Sequence, residues 1–294
     1  MLGYVNIEKL TDKGSIKKHS LKVTKINENS KYMNIQLYKN FQLDNKKHIK
    51  KIQKIFKKEK INKIVFNKKA FEDSKQIIDE CYVNDINIVT GNVLYANMVP
   101  NIIKYIFDMT KNCKIEQIHL GIAIELLSYN RLEFIKQMAN TVRGITVLTK
   151  TPSKFDGLCK EILQEYGLVI RCSDNLKSGL KSCDVCVNFD MDNSQIIGTI
   201  PNRCIYINCS LPIKKMKKSF KGIVVNDVLI DISDFNANDI EFSSFRSVAI
   251  GQAIDIENNS RSILKCIGIN GNIDESEFER YVTVDNKKRN DKIL

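Results

Sequence analysis

The sequence lacks an apolar run long enough to cross a bilayer as a helix, for which about 18 consecutive residues are needed. It also lacks a basic segment followed by an apolar block near Met1, so we expect neither a signal peptide nor a membrane span. A cytoplasmic location is the resulting expectation. The nine cysteines then fit reduced thiols in a cytosolic core.

Several short motifs that identify enzymes are also missing. No Gly-x-x-x-x-Gly-Lys-Ser/Thr loop occurs, which excludes a P-loop phosphate site. Neither Gly-x-Ser-x-Gly nor His-Glu-x-x-His occurs, which removes the commonest hydrolase signatures. No tyrosine has a lysine four positions later, so the Tyr-x-x-x-Lys pair of short-chain dehydrogenases is absent. The catalytic residues of any reaction are therefore unknown from the sequence.

Glycine is absent between Gly121 and Gly144. A dinucleotide site needs a glycine-rich turn after the first strand, because glycines let the backbone approach the pyrophosphate at a helix N-terminus. Here the turn reads Glu125-Leu-Leu-Ser-Tyr-Asn-Arg131, so each residue carries a side chain where the phosphates would approach. We therefore expect no conventional pyrophosphate contact and no cofactor. The shape of this crevice discriminates between functions: a crevice plugged by Leu126, Leu127 and Tyr129 would exclude the enzyme hypothesis, and an open, positively lined groove would favour it.

Short apolar runs alternate with helix-length amphipathic segments from Ile115 to Asp190. This alternation is typical of βαβ units on a parallel sheet. Thr151 followed by Pro152 predicts the cap and first residue of a helix, and Gly167 predicts its end. The predicted strands are Gln117–Ile124, Gly144–Lys150, Leu168–Cys172, Val185–Phe189 and Cys204–Cys209.

The fold class predicted is α/β, with two domains. Residues 1–112 form a smaller mixed α/β domain, in which Leu21–Ile26 and Tyr32–Tyr38 pair as a hairpin before a βαβα unit. Residues 113–294 form a Rossmann-like parallel-sheet domain. A last helix, from about Ser244 to Asp255 or on to Cys266, returns to pack on the rest.

The net charge of +12 is concentrated in the first quarter of the chain. Residues 1–70 hold 19 Lys and 5 acidic residues, whereas the remainder holds 27 basic and 29 acidic residues. Ile49, Ile52, Ile55 and Phe56 recur at helical spacing among the lysines, which predicts an amphipathic helix over 45–60. Two interpretations stay open: a solvated surface that reflects codon bias, or a basic face for nucleic acid or another polyanion. The candidate residues for the second are Lys46, Lys47, Lys50, Lys51, Lys54, Lys57 and Lys58.

Two local stretches resemble motifs of the shikimate/quinate dehydrogenase group. Thr149-Lys-Thr-Pro-Ser-Lys154 is similar to the group's Asn-Arg-Thr motif, and Leu180-Lys-Ser-Cys-Asp-Val-Cys-Val-Asn-Phe189 to its stretch beside the nicotinamide. The resemblance covers about residues 115–210 and implies a Rossmann domain that binds NADP. It places Lys150 and Thr151 at the 2′-phosphate and Asn188 by the nicotinamide, and Arg131 is the candidate for the pyrophosphate. The group's catalytic Lys–Asp pair and its glycine-rich turn have no counterpart here.

Cysteine and histidine give no metal signature. Cys183 and Cys186 form a Cys-x-x-Cys at the end of a helix, and a zinc site would need a second such pair, so we interpret both as buried structural residues. The three histidines lie outside any motif, and His119, inside a strand, is interpreted as a packed core residue. We expect no metal.

Three functions remain as hypotheses. The first is a bacterial cytosolic binding or regulatory protein without enzymatic activity, with a degenerate Rossmann-like fold and an unknown protein partner. The alternative is an NAD(P)-dependent oxidoreductase related to shikimate/quinate dehydrogenase. The second alternative is nucleic-acid or polyanion binding through the basic N-terminal region.

Overall fold

The part of the chain that this computed structural model describes comprises residues 2–8, 21–25, 32–38, 46–66, 75–110, 113–210, 212–231, 247–253 and 262–279. The strands are β1 Leu2–Glu8, β2 Leu21–Lys25, β3 Tyr32–Tyr38, β4 Lys63–Phe66, β5 Asn87–Ile88, β6 His119–Ala123, β7 Gly144–Leu148, β8 Ile170–Ser173, β9 Val185–Asn188, β10 Ile205–Asn208, β11 Ile223–Val225, β12 Asp227–Ile230, β13 Ile263–Ile267 and β14 Asn272–Ile273. The α-helices are α1 Lys46–Lys58, α2 Lys75–Val83, α3 Asn92–Asn97, α4 Val99–Asp108, α5 Tyr129–Ala139, α6 Asp156–Tyr166, α7 Leu176–Leu180, α8 Asn193–Ile197 and α9 Ser247–Ala253. Two 3-10 helices cover Ile115–Gln117 and Pro152–Phe155.

The chain divides into two compact units, and each unit consists of two segments of the chain. One comprises Met1–Leu94 and Asp231–Glu257, and the other comprises Tyr95–Ile230 and Asn258–Leu294. The division into domains of residues 1–112 and 113–294 stays a prediction.

The unit that contains Met1–Leu94 holds a mixed five-stranded sheet in the order β2-β3-β1-β4-β5. The predicted hairpin is confirmed, because β2 and β3 pair antiparallel with Val23 opposite Ile35. The helix predicted over 45–60 is also confirmed as α1. Its apolar stripe is buried through Ile49, Ile52 and Phe56, as expected for a helix that docks on one face.

The unit that contains Tyr95–Ile230 is organised by six parallel strands in the order β8-β7-β6-β9-β10-β11. Counted from β6 along the chain, this is the order 3-2-1-4-5-6 of a doubly wound dinucleotide-binding sheet. The predicted fold class, a Rossmann-like parallel sheet with a smaller mixed α/β part, is confirmed. A three-stranded antiparallel sheet, β12-β13-β14, completes the unit.

The apolar strand sequences explain why this sheet lies in the interior. Every residue of β7, β9 and β10 is buried. A parallel sheet covered by helices on both faces requires such near-continuous apolar strands, because neither face meets water. The sheet therefore provides a buried base, and the few polar residues within these three strands, such as Thr146 and Asn188, are buried with it.

Gly167 ends α6 as the sequence predicts. It adopts the left-handed conformation with φ of 67° and donates its N–H to the Leu163 carbonyl. Glycine suits this position because a left-handed backbone carries no Cβ penalty there. Pro100 within the apolar segment 93–109 predicts a kink or two short helices, because proline lacks the N–H that a helix interior needs. The segment splits at Met98, and Pro100 lies in the first turn of α4, where its missing N–H is tolerated.

Two expectations about helices are wrong. Thr151 makes no side-chain capping hydrogen bond, and Pro152 opens a 3-10 helix, so α6 begins only at Asp156. The extension of the last helix to Cys266 is contradicted by β13, which pairs antiparallel with β12. Cross-strand pairing decides the conformation of this short apolar run, whose sequence alone fits either structure.

Candidate functional site

The strand order fixes where a ligand would bind in the parallel-sheet unit. β6 lies between β7 and β9. From β6 the chain continues to β7 and β8 on one side, and it then returns to form β9 on the other side. In open α/β sheets ligands bind beyond the carboxyl ends of the strands at this switch point. Two loops meet there: Glu125–Ser128 after β6 and Phe189–Asp192 after β9. We call the space between them the switch-point crevice.

The carboxylate of Asp190 binds the loop that follows β6. Its Oδ1 accepts the Glu125 N–H at 2.7 Å, and its Oδ2 accepts the Leu126 N–H at 3.0 Å. In a dinucleotide-binding domain, backbone N–H groups of this turn and the adjoining helix N-terminus face the pyrophosphate. Here two such donors are satisfied by an anion supplied by the chain itself.

Arg131 completes the enclosure of that carboxylate. Its guanidinium lies 2.7 Å from Asp190 Oδ2, and both side chains are about one-fifth exposed, at 22% and 20%. The same guanidinium donates to the Leu126 carbonyl and lies over the Phe189 ring, 5.6 Å from its centroid. The residue predicted to hold a pyrophosphate therefore holds Asp190.

Lys150 lies after β7, where the resemblance places a cation for the 2′-phosphate. Its ammonium forms an ion pair with Glu125, and the two side chains are 61% and 34% exposed. Such an exposed pair contributes little to stability. The pair matters more for the binding of a phosphate. Glu125 places a negative charge beside the ammonium group that a phosphate would need.

The other two predicted cofactor residues are engaged within the protein. Asn188 is fully buried; its amide donates to the Met191 carbonyl at 2.9 Å and to Asn193 Oδ1 at 3.1 Å. Its own oxygen accepts the Met191 N–H at 3.0 Å. Asn188 thus shapes the loop after β9. The Thr151 N–H donates to Thr149 Oγ1 at 3.3 Å. Contacts of all four residues with a cofactor stay predictions.

The three apolar side chains that could plug the crevice point into solvent. Leu126, Leu127 and Tyr129 are 71%, 41% and 75% exposed. These side chains therefore do not plug the crevice: the loop turns its backbone N–H groups toward Asp190 and its apolar side chains outward. Three large apolar groups within four positions form an exposed surface, which we call the β6-loop surface.

The basic helix α1 presents its lysines to solvent. Of the candidate lysines, six are exposed: Lys47, Lys50, Lys51, Lys54, Lys57 and Lys58. Lys58 also forms an ion pair with Glu59 at 3.7 Å. The side chain of Lys46 lies outside the described residues. The helix therefore has one apolar face that is packed and one cationic face in water, as both interpretations of the lysine excess require.

His119 forms a polar cluster at the opposite end of the sheet. Its Nε2 lies 2.8 Å from Thr146 Oγ1, and its backbone N–H donates to Asp184 Oδ2 at 2.8 Å. Desolvation lowers the pKa of His119, and the charges of Arg143 and Arg171 act in the same direction, against the opposing effect of Asp184. The ring is half-buried in a structural cluster, and we assign it no catalytic role.

The lowered pKa of His119 predicts a dependence of stability on pH. The folded state favours the neutral ring, so its contribution is present above the unfolded pKa of 6.5 and is lost as pH falls through the folded pKa. We expect the free energy of unfolding to fall more steeply from about pH 7 to pH 5 in the wild type than in His119→Gln. Urea denaturation across this range measures both slopes; equal slopes would contradict the account.

Sequence reasoning missed Asp190, which is the centre of the site. The acidic residue lies two positions beyond a buried strand, and Arg131 lies in the first turn of the helix that follows β6. The available signal was an acidic residue just after β9 and a basic residue in the helix that follows β6. The pair is 59 positions apart, so its contact depends on the strand order, which local patterns do not determine.

The described residues contain no group of three or more His, Cys, Asp or Glu side chains arranged to hold a metal ion. Nor is any helix among them both long and apolar enough to cross a membrane.

Comparisons with known proteins give no family. No family model and no curated protein matches the chain. Among solved structures, one component of dipicolinate synthase from Bacillus halodurans matches at 13% identity and TM-score 0.32, over 49% of each chain. The chain therefore spans about half the length of that protein.

Two further structures match over more of their length. D-mandelate dehydrogenase from Rhodotorula graminis matches at 10% identity and TM-score 0.35, over 76% of this chain and 70% of its own. Ornithine transcarbamoylase from Giardia lamblia matches at 12% identity and TM-score 0.32, over 76% of each chain. Such weak likenesses carry no argument about activity, so the assignment of a Rossmann-like sheet rests on its strand order.

Proposed function

We propose that this protein is a non-enzymatic binding or regulatory protein built on a Rossmann-like sheet. The observation that supports the proposal is the carboxylate of Asp190, which takes the loop N–H groups and the guanidinium that a diphosphate would use. A dinucleotide would have to displace Asp190 and remain near two carboxylates. Two like charges 4 Å apart repel by about 4 kcal/mol at an effective dielectric constant of 20.

The proposed partner is a protein that contacts the β6-loop surface. Leu126, Leu127 and Tyr129 leave large apolar side chains in water at the end of the sheet where such folds bind their ligands. Exposed apolar patches of this kind often mark interaction sites. Co-purification with tagged protein is the direct measurement, and recovery of this chain alone would count against the binding role.

The alternative is an NAD(P)-dependent oxidoreductase related to the shikimate/quinate dehydrogenase group. The strand order 3-2-1-4-5-6 and the position of Lys150 after the second strand of the sheet favour it. In this alternative Arg131 and Lys150 would exchange their internal carboxylates for phosphates. The strand order supports a nucleotide-binding ancestry, whereas the ion pairs support loss of that site.

The second alternative is a nucleic-acid or polyanion binder that uses α1. The exposed lysines between Lys47 and Lys58 span about 16 Å at a rise of about 1.5 Å per residue. Such a row can contact several phosphates of one strand, and its affinity would fall steeply with salt.

A titration with two ligands separates these functions. We expect NADPH at about 1 mM to leave the melting temperature unchanged. If NADPH did bind, a hundredfold excess over its dissociation constant would add about 2.7 kcal/mol to the free energy of unfolding. That increment corresponds to a shift of about 5–10 °C for a domain of this size. A saturable shift of this kind would favour the oxidoreductase.

The second arm measures fluorescence anisotropy of a labelled single-stranded oligonucleotide at low salt. The proposed function predicts no change in anisotropy. Binding that weakens as salt is added would support the polyanion alternative, and binding lost on replacing Lys50, Lys51 and Lys54 by Gln would locate it on α1.

A further inference from the structure

Cys159 and Cys172 face each other between a helix and the edge strand of the parallel sheet. Cys159 lies in the first turn of α6 and Cys172 lies in β8, and their Sγ atoms are 3.5 Å apart. Both residues are partly accessible, whereas six of the nine cysteines are buried. This pair thus combines contact between two sulfurs with access from solvent.

The two sulfurs are separated by only a small movement from bonding distance. A disulfide requires an S–S distance of about 2.05 Å, so the sulfurs must move together by about 1.5 Å. The connection turns at Gly167, where a side chain would meet nothing within 4 Å. Among the described residues β8 is the edge strand of this sheet and pairs with β7 alone, so a shift of β8 would disturb the pairing with one strand and not two.

We propose that Cys159 and Cys172 form a reversible redox pair, which closes to an intramolecular disulfide by exchange with a low-molecular-weight disulfide such as oxidised glutathione. The disulfide would link α6 covalently to β8 at one edge of the sheet. The site goes beyond the proposed binding role, since the contacts that define the switch-point crevice involve neither cysteine.

The reaction proceeds in two exchange steps. Cys159 releases its proton to solvent, and its thiolate attacks one sulfur of oxidised glutathione, so the glutathione S–S bond breaks and one glutathione thiolate leaves. Cys172 then releases its proton to solvent, and its thiolate attacks Sγ of Cys159 and expels the second glutathione thiolate. Solvent protonates both leaving groups. Two protein thiols are oxidised by two electrons in total, and one glutathione disulfide is reduced to two thiols.

The order of attack follows from the surroundings of Cys172. Burial raises the pKa of Cys172 to about 12, and its hydrogen bond with Cys159 acts in the same direction. The first attack is therefore assigned to Cys159, since only a thiolate is the nucleophile. The second step should limit the rate and accelerate as pH rises.

The Cys-x-x-Cys motif is the natural comparison within the same chain. Cys183 and Cys186 are both buried, and burial raises the pKa of Cys183 to about 12 and raises the pKa of Cys186 well above its ordinary value. The Cys183 thiol donates to the Gly179 carbonyl at 3.5 Å. These thiols lack the access from solvent that exchange requires, so the motif serves as an internal control.

The test is oxidation of the full chain with oxidised glutathione, followed by peptide mapping without reduction. We expect a Cys159–Cys172 linked peptide, the loss of two of the nine free thiols, and full reversal by dithiothreitol. The oxidised form should also melt about 5 °C higher, because the link closes a short loop of the unfolded chain. Formation of the link should be faster at about pH 8.5 than at pH 7.

Three variants control the assignment. Cys159→Ser and Cys172→Ser should each abolish the linked peptide, whereas Cys183→Ser should retain it. Circular dichroism of each reduced variant establishes that it is folded. Stable glutathione adducts on Cys159 without the intramolecular link would overturn the proposal. So would a link between Cys183 and Cys186 in preference, or retention of all nine thiols at millimolar oxidant.

Discussion

Replacement of Asp190 by alanine is expected to lower the free energy of unfolding by about 2–3 kcal/mol. The change leaves the Glu125 and Leu126 N–H groups and the Arg131 guanidinium without the carboxylate that they share. Leaving a buried donor unsatisfied costs about 1–3 kcal/mol, and the partial exposure of this pair keeps the sum moderate. The corresponding fall in melting temperature is about 4–10 °C.

Asp174 offers a matched control for this variant. It is an exposed aspartate between β8 and α7 of the same unit, and Asp174→Ala should change stability by less than about 0.5 kcal/mol. Asp190→Asn removes the charge and keeps the shape, so its cost should lie between the other two. An Asp190→Ala protein as stable as the wild type would show that the carboxylate does not hold the loop.

Replacement of Gly222 by alanine is expected to cost about 3 kcal/mol or more. An added Cβ would lie 2.0 Å from the Cys204 carbonyl oxygen and 2.8 Å from its backbone nitrogen. Those atoms belong to the chain entering β10, and the same carbonyl accepts the Ile223 N–H at 3.1 Å. The backbone has no rotamer that relieves the clash, so β11 must separate from β10 and lose pairing.

Gly157 in α6 provides the control of opposite sign. A Cβ there meets nothing within 4 Å, and alanine suits a helix better than glycine, so Gly157→Ala should gain about 0.5–1 kcal/mol. Urea denaturation of both variants measures the contrast. A Gly222→Ala protein with wild-type stability would mean that β10 and β11 are not packed as described.

The fold was predictable because its signals are local. Apolar runs such as Gly144–Leu148 and Val185–Asn188 are continuous, and only a strand buried on both faces needs that composition. Gly167 marked its helix end through the conformation that only glycine adopts freely. The error at Thr151 has the same local origin: the Thr-Pro signal is real, but a 3-10 helix used it in place of an α-helical cap.

The candidate site was predictable only in part, because its contacts join distant positions. The missing glycines indicate an altered pyrophosphate turn. In the structure the carboxylate of Asp190 accepts the N–H groups of this turn, and no sequence pattern pointed to Asp190. Arg131 and Lys150 were selected as cations for phosphates, and each is paired with a carboxylate of the protein. No local pattern shows which charges meet across the ends of parallel strands.

The most direct measurement of the central claim is thermal unfolding of wild type and Asp190→Ala in increasing inorganic pyrophosphate. Asp190 occupies an anion site in the wild type, so pyrophosphate should leave the melting temperature of the wild type unchanged. The same anion should restore a saturable part of the stability that Asp190→Ala loses, and Asp174→Ala should behave like the wild type. A wild-type protein stabilised as strongly as the variant, or a variant that pyrophosphate does not stabilise, would contradict the account.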